Sequence, residues 1–165
     1  MGGHPTEHQE VDIGVINKEV PRLRQAGTGK ITIDSGAGES VCPINMVPEE
    51  PLHATDKNGI KYRAAGGQSL VNRGEKRIKF KTAGKQIAKL NFQAIAEVKK
   101  PLASAARIAN KGNLIVLDED GGESYILNKA SKTKIPIHQE NGVYVMNVDY
   151  MAEVDDEGEP FARQA

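Results

Sequence analysis

Residues 31–43 read ITIDSGAGESVCP, and the rest of the chain is read outward from them. Ile31 and Ile33 flank Thr32 with the period of a half-buried strand. That strand delivers Asp34 into a Ser35-Gly36 turn. Ala37 and Gly38 are small enough for the backbone to turn tightly before a second apolar stretch begins at Val41. The pattern places a carboxylate at the end of a strand, in a turn whose N–H groups point back at it.

At 165 residues the chain has the length of one domain with an interior of its own. Its apolar content of 38% and aromatic content of 4% are low, so part of the buried surface is expected to come from association. Lys plus Arg balance Asp plus Glu at 22 each, and no overall field favours a nucleic acid or a membrane surface; neither is expected as a direct partner. Cys42 is the single cysteine, which excludes an internal disulfide and fits a reducing compartment. No apolar run approaches the length of a membrane span, and Met1 to Pro5 lacks the apolar core of a signal peptide. The expected location is cytoplasmic.

Residues 1–10 are polar and are expected to be flexible. Val11, Ile13 and Val15 alternate with Asp12 and Gly14 as a strand would. Pro21 to Gly29 reads as a connection, Lys30 to Asp34 as a strand, and Val41 to Val47 as a strand broken by Pro43. Ile60 to Ala65 and Glu75 to Thr82 are expected to pair as a hairpin around AAGGQSLVNRG (64–74). In the second of these, Ile78 and Phe80 form an apolar face, while Arg77, Lys79 and Lys81 form a solvated one. Ala88 to Ala96 is a further alternating strand. Pro101 to Asn110 is the one helix candidate, with Pro101 at its first position and Gly112 after its end. Four short strands follow, within 114–117, 124–127, 134–137 and 143–148, and the acidic stretch 151–165 is expected to be a disordered tail. The fold class is mainly β with one short helix.

A lone Asp in such a turn has a specific chemical use. Two carboxylates a few ångströms apart share one proton and titrate as a pair. The ionised member acts as general base on a water held between them, and the protonated member donates to the carbonyl oxygen of a scissile amide. The motif occurs once, so a catalyst built on it needs two copies of the chain, with Asp34 from each. Ser35, Gly36 and Ala37 then shape the active-site loop. The glycine-rich tip Ala65, Gly66, Gly67 and Gln68 has the character of a lid whose N–H groups bind an extended peptide.

These residues resemble the retropepsin-type aspartic proteases of retroelement polyproteins, most of all the copia-like retrotransposon type. The resemblance rests on ITIDSGAGESVCP, on the flap-like YRAAGGQSLVNRGEKRIKF, and on the later run from Leu102 to Ala105, Gly112-Asn113, Leu114 to Leu117 and Gly142-Val143-Tyr144. It covers about residues 11–150, with 114–150 a candidate appended β subdomain. Gly38 stands where the family commonly has a serine or threonine, and PLASA where it has an apolar pair followed by glycine. The resemblance implies a closed β-barrel or sandwich whose active site lies at a homodimer interface. It further implies an endopeptidase that processes its own polyprotein, with no metal and no cofactor. The alternative reading is a non-enzymatic peptide-binding or dimerisation module on the same fold.

Other chemistries fit less well. Cys42, eight residues after Asp34, is read as a packing residue rather than a nucleophile, because free cysteines are commonly buried. His4 and His8 have metal-pair spacing only on a helix, and Pro5 lies between them. GAGESV lacks the lysine of a phosphate-binding loop.

Overall fold

The strand that ends at Asp34 is much longer than its alternating pattern. In the computed structural model, which describes residues 10–12, 22–64 and 66–160, it runs Leu23–Asp34 and is designated β2. The residues from 23 to 29 are strand rather than connection because the C-terminal strand Val143–Glu153 (β13) pairs with β2 from Tyr144↔Ile33 to Glu153↔Leu23. Near the middle the register shifts, so that Ala26 and Gly27 together oppose Tyr150. Gly27 takes φ 110 at this bulge, and Gly29 lies under the Tyr150 ring, where a Cβ would come within 2.8 Å of it. The glycines that read as a loop signal are what let two strands cross closely.

The other elements are β1 (Glu10–Asp12), β3 (Val41–Pro43), β4 (Leu52–His53), β5 (Lys61–Arg63), β6 (Ser69–Val71), β7 (Glu75–Thr82), β8 (Ile87–Ile95), β9 (Leu102–Ser104), α1 (Ala105–Asn110), β10 (Asn113–Val116), β11 (Ser124–Asn128) and β12 (Lys134–Glu140). The described chain is mainly β with one short helix, as its alternation predicts. The strands β13, β2, β9, β3, β8 and β7 pair in that order, and β7 pairs back onto β13, closing a ring. β10 to β12 extend the sheet from the other side of β13, and β5 and β6 stand apart as a two-stranded sheet. Ile31, Ile33, Ile78, Phe80, Leu90, Phe92 and Met146 from the ring share one core with Ile126, Ile135 and Ile137 from β11 and β12. The segment 114–150 is therefore packed into the same interior as the Asp34 strand.

Several local expectations are corrected by pairing across the chain. The hairpin expected between Ile60–Ala65 and Glu75–Thr82 is instead β5 with β6, from Lys61↔Val71 to Arg63↔Ser69. β7 pairs with β8 over Glu75↔Gln93 to Lys81↔Ile87. The switch occurs at Arg73-Gly74, where Arg73 N–H donates to Ala94 O and Ala94 N–H donates to Gly74 O, both bonds tying the chain to the end of β8. The helix begins at Ala105 rather than at Pro101, because Leu102–Ser104 is drawn into parallel pairing with β2 and Ser104 becomes the N-cap. The stretch after β3 leaves strand geometry at Pro43, and Val47 has φ 48. The expected disordered tail is ordered through 151–160: Met151–Glu153 completes β13, Val154 bridges Pro160, and Asp155 Oδ1 accepts the N–H groups of Glu157 and Glu159. Residues 161–165, Ile13, Val15 and most of the N-terminal segment lie outside the described residues.

The charged side of β7 is not simply solvated. Lys76 and Lys79 are 3% and 4% exposed and Lys81 is half-buried, while Arg77 is exposed. Lys76 Nζ donates to the carbonyls of Met46, Val47 and Glu50 at 2.9, 3.1 and 3.0 Å, and so binds three backbone acceptors of one turn to β7. Lys79 pairs with Glu153 of β13. The neighbouring Glu50 is 6% exposed, and burial pushes its carboxyl up to about 7, against the opposing pull of the Lys79 ammonium.

The sign of the pH effect follows. The unfolded chain releases the Glu50 proton near the ordinary carboxylate value, whereas the folded chain keeps it until about pH 7. The folded state thus binds the extra proton, and the stability associated with neutral Glu50 is lost as pH rises through that window. Glu50→Gln is expected to gain stability relative to the parent as pH increases. Urea unfolding at pH 5 and pH 8 reads this directly, and an unchanged difference between the two proteins at both pH values would refute it.

Candidate functional site

Asp34 is the last residue of β2, half-buried, and Ser35 and Gly36 after it are exposed. The N–H of Gly36 donates to Asp34 Oδ1 at 2.8 Å, and the N–H of Ala37 lies 3.5 Å from the Asp34 carbonyl oxygen. The carboxylate is therefore oriented by its own turn, as the Asp-Ser-Gly pattern predicts. The loop's other acid, Glu39, is held by Arg107 Nη2 at 2.6 Å and Lys57 Nζ at 3.3 Å. Among the described residues no cluster of three or more His, Cys, Asp or Glu has the arrangement to hold a metal ion.

The loop is braced from behind by β9. The chain enters the loop along β2 and leaves it along β3, and β9 lies between them, in register with Asp34 at Ser104 and with Val41 at Leu102. Ser104 is fully buried, and its hydroxyl does two things at once. It donates to Ala37 O at 2.6 Å and accepts the N–H of Arg107 at 3.2 Å, so the cap of α1 also holds the loop. Its own N–H donates to Ser40 Oγ at 2.9 Å. Arg107 Nε completes the brace by donating to Gly38 O at 3.0 Å. PLASA does not reveal Ser104 as a loop anchor, because the hydroxyl's partner is 67 residues away in sequence.

The hairpin tip expected to bind peptide is present at the end of β5 and β6. Ala64 N–H donates to Gln68 O and Gly67 N–H to Ala64 O, each at 2.9 Å, and Gly67 sits at φ 87. Gly66, Gly67 and Gln68 are exposed; Ala65 lies outside the described residues. The root of the hairpin is Asn72, 1% exposed, which sequence reasoning passed over as a loop residue. Its Nδ2 donates to Tyr62 OH at 3.0 Å and to Gln93 Oε1 at 2.7 Å, and its Oδ1 accepts the N–H of Gly74 at 2.8 Å. Its backbone bonds to both Ile60 and Gly59. A buried, fully satisfied amide of this kind fixes where a hairpin leaves the sheet. The only hint in the sequence is its place between an alternating strand and Arg73-Gly74.

Cys42 is wholly buried, and burial pushes its thiol up to about 12, which keeps it protonated and inert. This agrees with the packing reading. His4 and His8 lie outside the described residues. No described helix is long and apolar enough to cross a membrane.

The chain matches no family model, no curated protein and no solved structure.

Because Ser104 Oγ serves two part-buried backbone groups, Ser104→Ala leaves both without that partner. The expected cost is about 1–3 kcal/mol of unfolding free energy, read as a lower urea midpoint at unchanged slope. A midpoint equal to that of the parent would show that the loop is held without this hydroxyl.

Proposed function

We propose that this chain is an aspartic endopeptidase of the retropepsin type, working as a homodimer in which Asp34 of each subunit faces one water. The observation that carries the proposal is the bond from Gly36 N–H to Asp34 Oδ1, in a loop braced by a strand lying between its two arms. It aims a half-buried carboxylate from a rigid base. The ring of strands, the short helix behind the loop and the exposed glycine tip of β5–β6 are consistent with the same reading, including a closed barrel as the finer description of the ring.

In this mechanism the two Asp34 carboxyls share one proton. The ionised carboxylate takes a proton from the water as its oxygen attacks the scissile carbonyl carbon, while the protonated carboxyl donates to the carbonyl oxygen. The tetrahedral intermediate collapses with cleavage of the C–N bond, and a proton passes to the leaving amine. Gly66 would present its N–H group to an extended peptide, while Gly67 N–H, bonded to Ala64 O, holds the tip in shape, and the peptide backbone adds to the hairpin as a further strand. The natural substrate would be the polyprotein of a retroelement. Two carboxylates and a water suffice for this chemistry, and no cofactor is invoked.

The test is cleavage of a mixed peptide library between about pH 4 and 7, the range in which shared-proton pairs work, by the parent and by Asp34→Asn. The parent is expected to cleave, with activity falling as both carboxylates ionise and specific activity falling on dilution as the dimer dissociates. Asp34→Asn is expected to lose cleavage entirely while remaining folded. A folded, dimeric parent that cleaves nothing, or an Asp34→Asn variant as active as the parent, would overturn the proposal and point to a peptide-binding module.

A further inference from the structure

Glu39 joins two parts of the molecule that are far apart in sequence. On one side its Oε2 accepts from Arg107 Nη2 at 2.6 Å, and the same guanidinium donates through Nε to Gly38 O, so α1 grips two consecutive residues of the Asp34 loop. On the other side Oε2 accepts from Lys57 Nζ at 3.3 Å. The Glu39 side chain is 20% exposed, and a cleft of about 210 Å³ opens beside it, lined in part by Glu39, Lys57 and Arg107.

Lys57 belongs to the platform from which the hairpin springs. Its N–H donates to Thr55 Oγ1 at 3.1 Å, and its carbonyl accepts the N–H of Ile60, the residue that leads into β5. The adjacent Asn58 binds Thr55 N–H through Oδ1 and donates through Nδ2 to Arg73 O, on the returning side of the hairpin. Gly59 N–H donates to Asn72 O. Both legs of the hairpin are thus bonded to the turn that carries Lys57. A change in the tilt of the hairpin moves that turn, and the Glu39–Lys57 pair transmits it to the loop.

We propose that Glu39 is a positioning residue that couples the β5–β6 hairpin to the Asp34 loop through Lys57, so that the two close on a substrate together. The proposal rests on the protease reading for its purpose, but not for its geometry. The pair suits a reversible link. Lys57 is 37% exposed, so the contact is open to solvent and to screening by salt. Such a pair contributes little to global stability and acts on the population of the open hairpin.

The experiment is amide hydrogen exchange on the full chain, which needs no turnover and so separates failure of this coupling from failure of the protease reading. Lys57→Met keeps the apolar stem and removes the charge without touching the Arg107 contact. It is expected to raise exchange across residues 57–73 by about two- to fivefold, while exchange in β8 stays at the parent rate. Glu39→Gln is expected to do the same in that segment, and the double variant to add nothing to either single change. Lys57→Arg is expected to restore the parent rate. Raising salt is expected to accelerate exchange of the hairpin in the parent and to leave Lys57→Met unaffected. If the parent cleaves peptide, Lys57→Met is expected to raise KM more than it lowers kcat. Unchanged exchange at 57–73 in Lys57→Met, or an equal acceleration in β8, would overturn the coupling.

Discussion

Three residues, Leu102–Ser104, lie between the strand that brings the chain to Asp34 and the strand that carries it away, and the geometry of the loop depends on their hydrogen bonds. A loop of small residues has many backbone groups and few side chains with which to satisfy them. Buried groups of this kind must find partners or the loop unravels into solvent. Here the partners come from behind, Ser104 for Ala37 and Ser40 and Arg107 for Gly38, while Gly36 within the loop holds the Asp34 carboxylate. The brace leaves the outer side of the loop, at Ser35 and Gly36, open to solvent. Under the proposed function, a braced back and an open front would suit an extended peptide.

The same logic explains the cations that lie inside. Burying an ammonium is unfavourable unless it is fully bonded. Lys76 meets that condition with three carbonyls of the 46–50 turn, and the turn is thereby tied to β7. Lys79 meets Glu153 where β7 closes the ring against β13. These lysines are structural ties between segments 29 and 74 residues apart in sequence, and their charges partly offset the burial that raises the Glu50 carboxyl beside them.

The hairpin is built differently from the ring. β5 and β6 pair only with each other, and their connection to the body runs through Asn72 and the turn at Lys57. Few buried apolar groups and a small number of polar ties describe a segment that opens locally without unfolding the core. Under the proposed function, ring and hairpin would divide the work: one fixes the carboxylate, the other closes over a peptide, and Glu39 links the two through Arg107 and Lys57.

The sequence by itself determined the strand ending at Asp34, the turn that aims the carboxylate, the glycine tip between 64 and 68 and the mainly β class. These depend on side-chain alternation and on turn chemistry, both of which operate over a few residues. What only the tertiary structure decided was the identity of each strand's neighbour. Alternation tells a strand that it has a buried face but not what covers it. So Glu75–Thr82 found β8 rather than β5, Leu23–Gly29 became strand because β13 lay alongside, and Met151–Glu153 became ordered for the same reason. Ser104, Asn72, Lys76 and Glu39 tie the candidate site and its surroundings together through long-range bonds that span 18 to 68 residues of sequence, and no local pattern records a partner at that distance.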